Sequence, residues 1–329
     1  MRSNRNVKKK LKVGVIGVGH LGGFHAQKYA AIPAVDLIGV ADTDEDRVNE
    51  IAKLHNTQPY RDYHSLLKRV DAVSLAVPTE KHFEIAKDIL SAGVHLLIEK
   101  PITYALEPAD TLIRIAREKN VILQVGLVER FKAAVVKMKS LLKDPVLIES
   151  HRMNIYTPRG TDVDVVLDLM IHDLDIMLDV IPSEVREFHA VGMSVITDKT
   201  DIANVRMIFE NGTVANLSAS RVSDNNLRKI RVFQSDAYIS VNCLKNEISV
   251  TRLDGETKDL TNIPKVSTEK TNFPGSDALA DEISSFVNAV MNGTEPVVSG
   301  RDGRRALKYV LAIIDQIGRG CGNFETAPQ

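Results

Sequence analysis

The chain contains no tryptophan, and its 329 residues include only two cysteines and a formal net charge of −1. Cys243 and Cys321 make neither a disulfide framework nor a metal-binding spacing. The near balance of charge leaves no global field to recruit nucleic acid or a membrane surface, and no basic helix or stripe marks a nucleic-acid interface. No apolar run approaches the roughly 20 residues that a membrane-spanning helix needs. Local charge is in excess only over residues 1–10, with Arg2, Arg5, Lys8, Lys9 and Lys10. No hydrophobic signal core follows, so a disordered basic tail is expected there. A reducing cytoplasm is the expected setting. The remaining composition, 44% hydrophobic and 26% charged, is that of a globular protein long enough for two domains.

The strongest local signal stands near the start. Residues 11–16 read as a short buried strand, followed at once by Gly17-Val18-Gly19-His20-Leu21-Gly22 and a helical stretch. This strand, turn and helix order is the dinucleotide-binding fingerprint. Gly17 permits the turn, Gly19 lets the backbone approach a pyrophosphate, and Gly22 lets the helix pack on the strand. The helix N-terminus at His20 and Leu21 would face the phosphates. Asp42 ends the second strand, twenty positions after Gly22. A carboxylate there accepts the ribose hydroxyls and repels a 2′-phosphate, so NAD is expected rather than NADP. Arg47 lies further into the next helix and is not expected to reverse that preference.

Up to about residue 126, strands at 11–16, 35–41, 71–77, 94–98 and 121–125 alternate with helical segments. Repeated strand–helix units imply an α/β, doubly wound parallel sheet of the Rossmann kind. The pattern then changes. A helix at 133–142, a strand at 146–153 and a long helix at 164–180 precede strand candidates at 185–195, 203–210, 212–222, 229–234 and 237–241. Asn211-Gly212 is a hairpin signal, and helices at 277–291 and 301–318 close the chain. The expected division is an NAD-binding domain over 1–126 and an α+β domain over 127–329, with a mostly antiparallel sheet flanked by helices, for substrate binding and oligomerisation.

Ligands of an open parallel sheet bind beyond the carboxyl ends of its strands. Gly17, Asp42, Pro78 and Lys100 all follow directly on apolar strands, so they share that edge. Pro101 restricts how Lys100 leaves its strand. In the helix at 164–180, Asp168, His172 and Asp175 stand at i, i+4 and i+7 and are expected on one face. A histidine flanked by carboxylates suits proton transfer near neutral pH. No metal is expected, because the residues lack zinc-type spacing and hydride transfer to NAD needs none.

The series Gly17-x-Gly19-x-x-Gly22, Pro78-Thr79-Glu80-Lys81-His82, Glu99-Lys100-Pro101, Gly126-Leu127-Val128-Glu129-Arg130-Phe131 and Asp168-x-x-x-His172-Asp173 resembles the glucose–fructose oxidoreductase/inositol dehydrogenase (Gfo/Idh/MocA) family, over nearly the whole chain and in order. The resemblance implies an NAD-dependent sugar oxidoreductase in which Lys100 and His172 form the acid–base pair and Asp168 positions substrate or His172. It adds Thr79, His82 and Glu99 to the expected cofactor contacts and Arg130 to the substrate contacts. Many members continue with Asn-Pro after Arg130-Phe131, where this chain has Lys132-Ala133. Two further segments, Tyr156-Thr157-Pro158-Arg159-Gly160-Thr161-Asp162-Val163-Asp164-Val165-Val166 and Thr197-Asp198-Lys199-Thr200-Asp201-Ile202-Ala203-Asn204, are similar to bacterial UDP-N-acetylglucosamine 3-dehydrogenases, which act in making 2,3-diamino sugars for lipid A. That likeness implies a nucleotide-sugar substrate, with Tyr156 and Arg159 meeting its base and diphosphate. The alternatives are a dehydrogenase or reductase of inositol or a simple sugar, and a dinucleotide-binding regulator without turnover. Lys100, Asp168 and His172 together argue against the regulator. A homo-oligomer is expected, with Asn216, Ser218 and Ser220 on a sheet face that meets either a second subunit or solvent.

Overall fold

The computed structural model describes residues 10–158, 160–253 and 266–320. Arg159, Cys321 and the basic positions 1–9 lie outside the described residues. In chain order, the first elements are β1 (Leu11–Ile16), α1 (His20–Ala31), β2 (Val35–Ala41), α2 (Glu45–Leu54), β3 (Gln58–Tyr60), α3 (Tyr63–Leu67), β4 (Ala72–Leu75), α4 (His82–Ser91), β5 (His95–Glu99), α5 (Leu106–Lys119) and β6 (Leu123–Gly126). Then come α6 (Ala133–Lys139), β7 (Leu147–Met153), α7 (Ile171–Val180), β8 (Val185–Met193), β9 (Ile202–Phe209), β10 (Val214–Ser220), β11 (Leu227–Gln234), β12 (Ala237–Asn242), β13 (Glu247–Leu253), β14 (Val266–Asn272), α8 (Ala278–Asn292) and α9 (Gly300–Gly320).

The first six strands form one parallel sheet in the order β3-β2-β1-β4-β5-β6. The order reverses between β1 and β4, the place where such sheets open a crevice for ligand. Helices cover both faces, which is why β1 and β4 read as nearly unbroken apolar runs. The chain divides into two units. Leu279–Arg305 belongs with the residues up to Leu127, and Val128–Ala278 with the residues from Ala306 onward. The sequence pattern alone groups 127–329 as one domain. The stretch holding α8 returns to the first unit because its apolar stripe, Ile283, Phe286 and Val287, packs in one core with Val13, Val15, Tyr29 and Leu97.

The second unit is built on an eight-stranded sheet, β14-β13-β12-β11-β7-β10-β9-β8. Its pairs are antiparallel except β7 with β10. The Asn211-Gly212 turn is present between β9 and β10, with Gly212 at φ +86° and its amide on the Phe209 carbonyl at 2.9 Å. β13 and β14 had no counterpart in the sequence reading. The seven residues of β14, Val-Ser-Thr-Glu-Lys-Thr-Asn, are all exposed, so no apolar alternation marks them. The single helix expected at 164–180 is two pieces. A π-helical turn, Val166–Met170, precedes α7, and the Ile171 amide bonds the Val166 carbonyl across it.

Candidate active site

In the first unit, the glycine turn is dictated by close approaches. Gly17 has φ +81°, and a Cβ there would lie 2.6 Å from the Ala76 carbonyl oxygen. At Gly22 a Cβ would lie 1.7 Å from the Gly17 carbonyl oxygen, so α1 leaves the strand at this angle only with glycine in that place. Among the described residues, its chain neighbours aside, nothing comes within 4 Å of a Cβ built on Gly19, so its backbone is open to a ligand. The first turn of α1 carries no acidic side chain and no side-chain cap. The helix dipole and the first amides, at His20 and Leu21, are therefore unneutralised and suit an anion.

Asp42 is held at the end of β2, where Oδ2 accepts the Val18 amide at 2.7 Å and Oδ1 the Asp44 amide at 3.0 Å. A cavity of about 440 Å³ opens over Gly17, Gly19, Asp42, Arg61, Val77 and Pro78. Arg47 reaches back from α2 to the glycine turn. Its Nε donates to the Val18 carbonyl at 2.8 Å and its Nη1 to Glu50 at 2.7 Å. Its charge braces the turn, and Asp42 is the carboxylate at the cavity.

Two residues expected beside the cofactor point elsewhere. His82 is buried, with Nδ1 2.8 Å from the Pro101 carbonyl oxygen and Nε2 3.0 Å from that of Val77. It ties the segment after β4 to the segment after β5. The 3-10 turn Thr79–Lys81 brings Lys81 to the cavity wall instead. Glu99 turns into the core, where Oε1 lies 3.0 Å from His25 Nε2. Lys100 follows at the strand end, half-buried, with a cis peptide to Pro101.

In the second unit, Asp168 lies on the π-helical turn and His172 in the first turn of α7, both half-buried. The Asp168 carboxylate lies against Gly160, where φ is +71° and a Cβ would meet Oδ2 at 2.8 Å. Buried Arg221 holds this loop, donating from Nη1 to the Gly160 carbonyl at 2.7 Å and from Nη2 to the Val163 carbonyl at 2.6 Å. Behind it, Asp201 accepts the Val195, Ile196 and Thr197 amides and the Thr197 hydroxyl. Burial would raise this carboxyl, but those four donors hold it down to about 2. The Thr200 amide bonds Asp164 Oδ1 at 3.0 Å, and the Val165 amide bonds the Thr200 carbonyl at 2.9 Å. The second of the two distinctive sequence segments therefore buttresses the first.

Asp175, expected on the face of His172, is taken by Arg130 in a bidentate pair at 2.6 Å on both arms, with Asp179 at 3.1 Å. The Arg130 side chain is 4% exposed. A buried guanidinium needs a carboxylate partner, and this one braces the fold; the expected substrate contact is corrected accordingly. Asp173, next to His172, accepts Arg152 at 2.7 and 2.9 Å. Arg152 Nη2 then lies 3.4 Å from Glu129 Oε2, while Lys132 and Arg228 reach Glu129 Oε1 at 3.3 and 3.4 Å. Burial alone would push Glu129 up, yet the charges of Arg152, Lys132 and His172 hold it down to about 2. Lys132, where the chain departs from the Asn-Pro pattern, is thus fastened into this network, and its Nζ also donates to the Cys243 carbonyl at 2.6 Å. Burial pushes the Cys243 thiol up to about 12, which makes it a poor nucleophile. Tyr156 is 39% exposed; Arg159 lies outside the described residues. Arg152 and Arg221 escaped sequence reasoning, and Glu129 stood in a motif without a role, since no spacing distinguishes a buried partner from a surface charge.

Residues 11–127 match a family model described as an oxidoreductase family with an NAD-binding Rossmann fold, and residues 135–240 match the GFO/IDH/MocA C-terminal domain. UDP-N-acetylglucosamine 3-dehydrogenase of Acidithiobacillus ferrooxidans is 41% identical over 304 residues, 92% of this chain and 96% of the relative. The chain belongs to the GFO/IDH/MocA oxidoreductase family. A solved structure of the Acidithiobacillus enzyme matches at a TM-score of 0.88 and 40% identity, covering 94% of this chain and 98% of that one. Myo-inositol 2-dehydrogenase of Thermotoga maritima is more distant, at 29% identity over 90% of this chain and 93% of the relative. The family's cofactor fits the residues present. The open Gly19 backbone and the uncapped α1 would suit its pyrophosphate, and Asp42 at the cavity its ribose. The protein is an NAD-dependent dehydrogenase. Among the described residues, no cluster of three His, Cys, Asp or Glu side chains is arranged to hold a metal, and no helix is long and apolar enough to cross a membrane.

The Asp201 brace has a pH signature. Its folded carboxyl sits at about 2 against an ordinary value of 3.8, so its contribution is complete above the unfolded value and is lost as pH falls towards the folded one. Urea unfolding of the wild type and Asp201→Asn should differ by a constant amount between about pH 5 and 7, and the gap should shrink below about pH 4. A gap that stays constant down to the folded value contradicts the assignment.

Proposed function

We propose that this dehydrogenase oxidises the 3-hydroxyl of a UDP-N-acetylhexosamine, with Lys100, His172 and Asp168 carrying the chemistry. The observation that carries the reading is 41% identity over 92% of the chain to a UDP-N-acetylglucosamine 3-dehydrogenase. It is supported by the loop at 160–163, which Arg221 and the Asp201 turn brace against Asp168. On this reading Tyr156 and Arg159 meet the base and the diphosphate, an anion that a guanidinium binds well.

When bound, NAD⁺ supplies the hydride acceptor. The hydroxyl proton of the substrate passes to His172 as its C3–H bond breaks and the C=O double bond forms. Asp168 orients the imidazole or the sugar. Lys100 donates to the oxygen as negative charge develops there. Glu129 and the Asp173–Arg152 pair give the imidazole a fixed electrostatic setting. A cytoplasmic setting belongs to the same proposal, since a free Cys243 thiol and NAD-linked chemistry suit a reducing compartment.

Absorbance at the NADH maximum reads the reaction directly. UDP-N-acetylglucosamine should reduce NAD⁺ with a higher kcat/KM than myo-inositol or any other free polyol. His172→Ala should lower kcat by about 10²-fold or more, the scale of acid–base groups, with NADH affinity little changed. Turnover of inositol without turnover of the nucleotide sugar would overturn the substrate, and an active His172→Ala would overturn the mechanism.

We also propose that two copies pair through the polar face of the eight-stranded sheet. Asn204 bonds Ser218 at 2.8 Å and Arg206 bonds Asn216 at 3.2 Å on that face, beside exposed Val191 and Met193. Ser220, expected with them, is buried. Sedimentation equilibrium should find a dimer or tetramer for the wild type and a smaller species for Val191→Asp with Arg206→Glu; a monomeric wild type contradicts the proposal.

A further inference from the structure

A continuous band of polar side chains runs through the largely apolar layer between α1, α8 and the six-stranded sheet. The Tyr29 and Ser74 oxygens are 2.8 Å apart, Ser74 Oγ is 3.1 Å from His25 Nδ1, and His25 Nε2 is 3.0 Å from Glu99 Oε1. All three side chains before Glu99 are fully buried. Nε2 faces a carboxylate, so it carries a ring hydrogen and donates to Glu99. Ser74 Oγ links the other ring nitrogen to the Tyr29 hydroxyl, so the chain of contacts ends on Glu99. The other Glu99 oxygen accepts the Lys100 amide at 3.3 Å. Gly126 leaves room for the carboxyl, since a Cβ there would lie 3.1 Å from it.

A second carboxyl shares this layer. Glu282 on α8 is fully buried, and neither of its side-chain oxygens has a hydrogen-bond partner among the described residues. Its backbone carbonyl accepts Gln124 Nε2 at 3.2 Å. Two neighbouring carboxyls, one fully buried and the other largely so, do not both ionise. Burial works to raise Glu99, but the His25 hydrogen bond and the charges of His25 and Lys100 outweigh it and hold Glu99 below the usual carboxylate range. Burial, followed by the charge on Glu99, pushes Glu282 well above that range. The other titratable groups facing the band are Tyr29 on α1, raised by burial, and His82 on α4, lowered by burial.

We propose that His25 is a positioning residue for the oxidation, acting through Glu99 to fix the place and charge of the group directly behind Lys100. The proposal rests on the dehydrogenase reading and extends it. α1 offers its first turn to the pyrophosphate and, one turn further on, holds the strand end that carries Lys100.

Three variants test this. His25→Leu fills comparable space without a donor, His25→Gln restores an N–H, and Glu282→Gln keeps a neutral side chain of the same shape. Misplacement of a reacting group typically costs orders of magnitude, so His25→Leu should lower kcat by about tenfold to a hundredfold with KM for NAD⁺ nearly unchanged. Its acid limb should move up to near neutral pH as Glu99 loses its donor. His25→Gln should recover most of the loss, and Glu282→Gln should stay near wild type. Infrared spectroscopy supplies a readout that needs no turnover. At neutral pH the wild type should show one buried protonated carboxyl, lost in Glu282→Gln, and His25→Leu should show a second. If His25→Leu does not fold, as judged by circular dichroism, Glu99→Gln, which mimics the protonated carboxyl, should reproduce its low kcat. Unchanged kcat and an unchanged carboxyl band in His25→Leu overturn the proposal, as does a His25→Gln variant no better than His25→Leu. Failure of the substrate reading looks different: the wild type then forms no NADH from the nucleotide sugar, while the infrared comparison still decides the role of His25.

Discussion

A carboxylate removed from water must be met by donors or a cation, and this requirement shapes both units beside the residues assigned to chemistry. Behind Lys100 stands Glu99, met by His25. Around His172 stand Glu129 and Asp173, both met by Arg152. The loop before the π-helical turn depends on Asp201, whose charge is spread over three backbone amides and a hydroxyl. An ion pair in the interior adds little net stability once desolvation is counted, but losing one partner is severely costly. Such pairs therefore act as fixed geometry, and a reacting group beside one inherits it.

Most of the nucleotide-binding end was legible in the sequence. Strand, glycines, helix and Asp42 occur in a row, and each has a local steric or electrostatic reason that needs no knowledge of the rest of the chain. Gly17 and Gly22 face backbone oxygens that belong to the turn and its neighbouring strand. The antiparallel sheet was legible where alternation is strong, at β9, β10 and β12, and invisible at β14, which has no buried side chain to mark it.

The rest was hidden for one recurrent reason. Sequence spacing says which residues share a face but not which distant residue will claim one of them. Asp175 has the right spacing to accompany His172, yet Arg130, 45 positions away, takes it. Glu99 ends a strand beside the edge that holds the cavity, yet His25 turns it inward. His82 lies beside the cavity segment, and two backbone carbonyls claim its ring. In each case a long-range polar pair decided the orientation.

The split of labour between the units follows from the same physics. The parallel sheet supplies an anion cradle and a lysine at its strand ends, where ligands of such sheets bind. The second unit supplies a histidine on a helix entered through a π-helical turn, a feature common at functional sites, with a braced loop against the adjacent aspartate. On the proposed function, hydride leaves one specified carbon, C3, of a nucleotide sugar. The most direct test is UDP-N-acetylglucosamine deuterated at C3, compared with the unlabelled sugar in single-turnover NADH formation. Hydride transfer from C3 gives slower formation with the labelled sugar and recovery of the deuterium in the reduced cofactor. Equal rates with the deuterium retained in the sugar would contradict it.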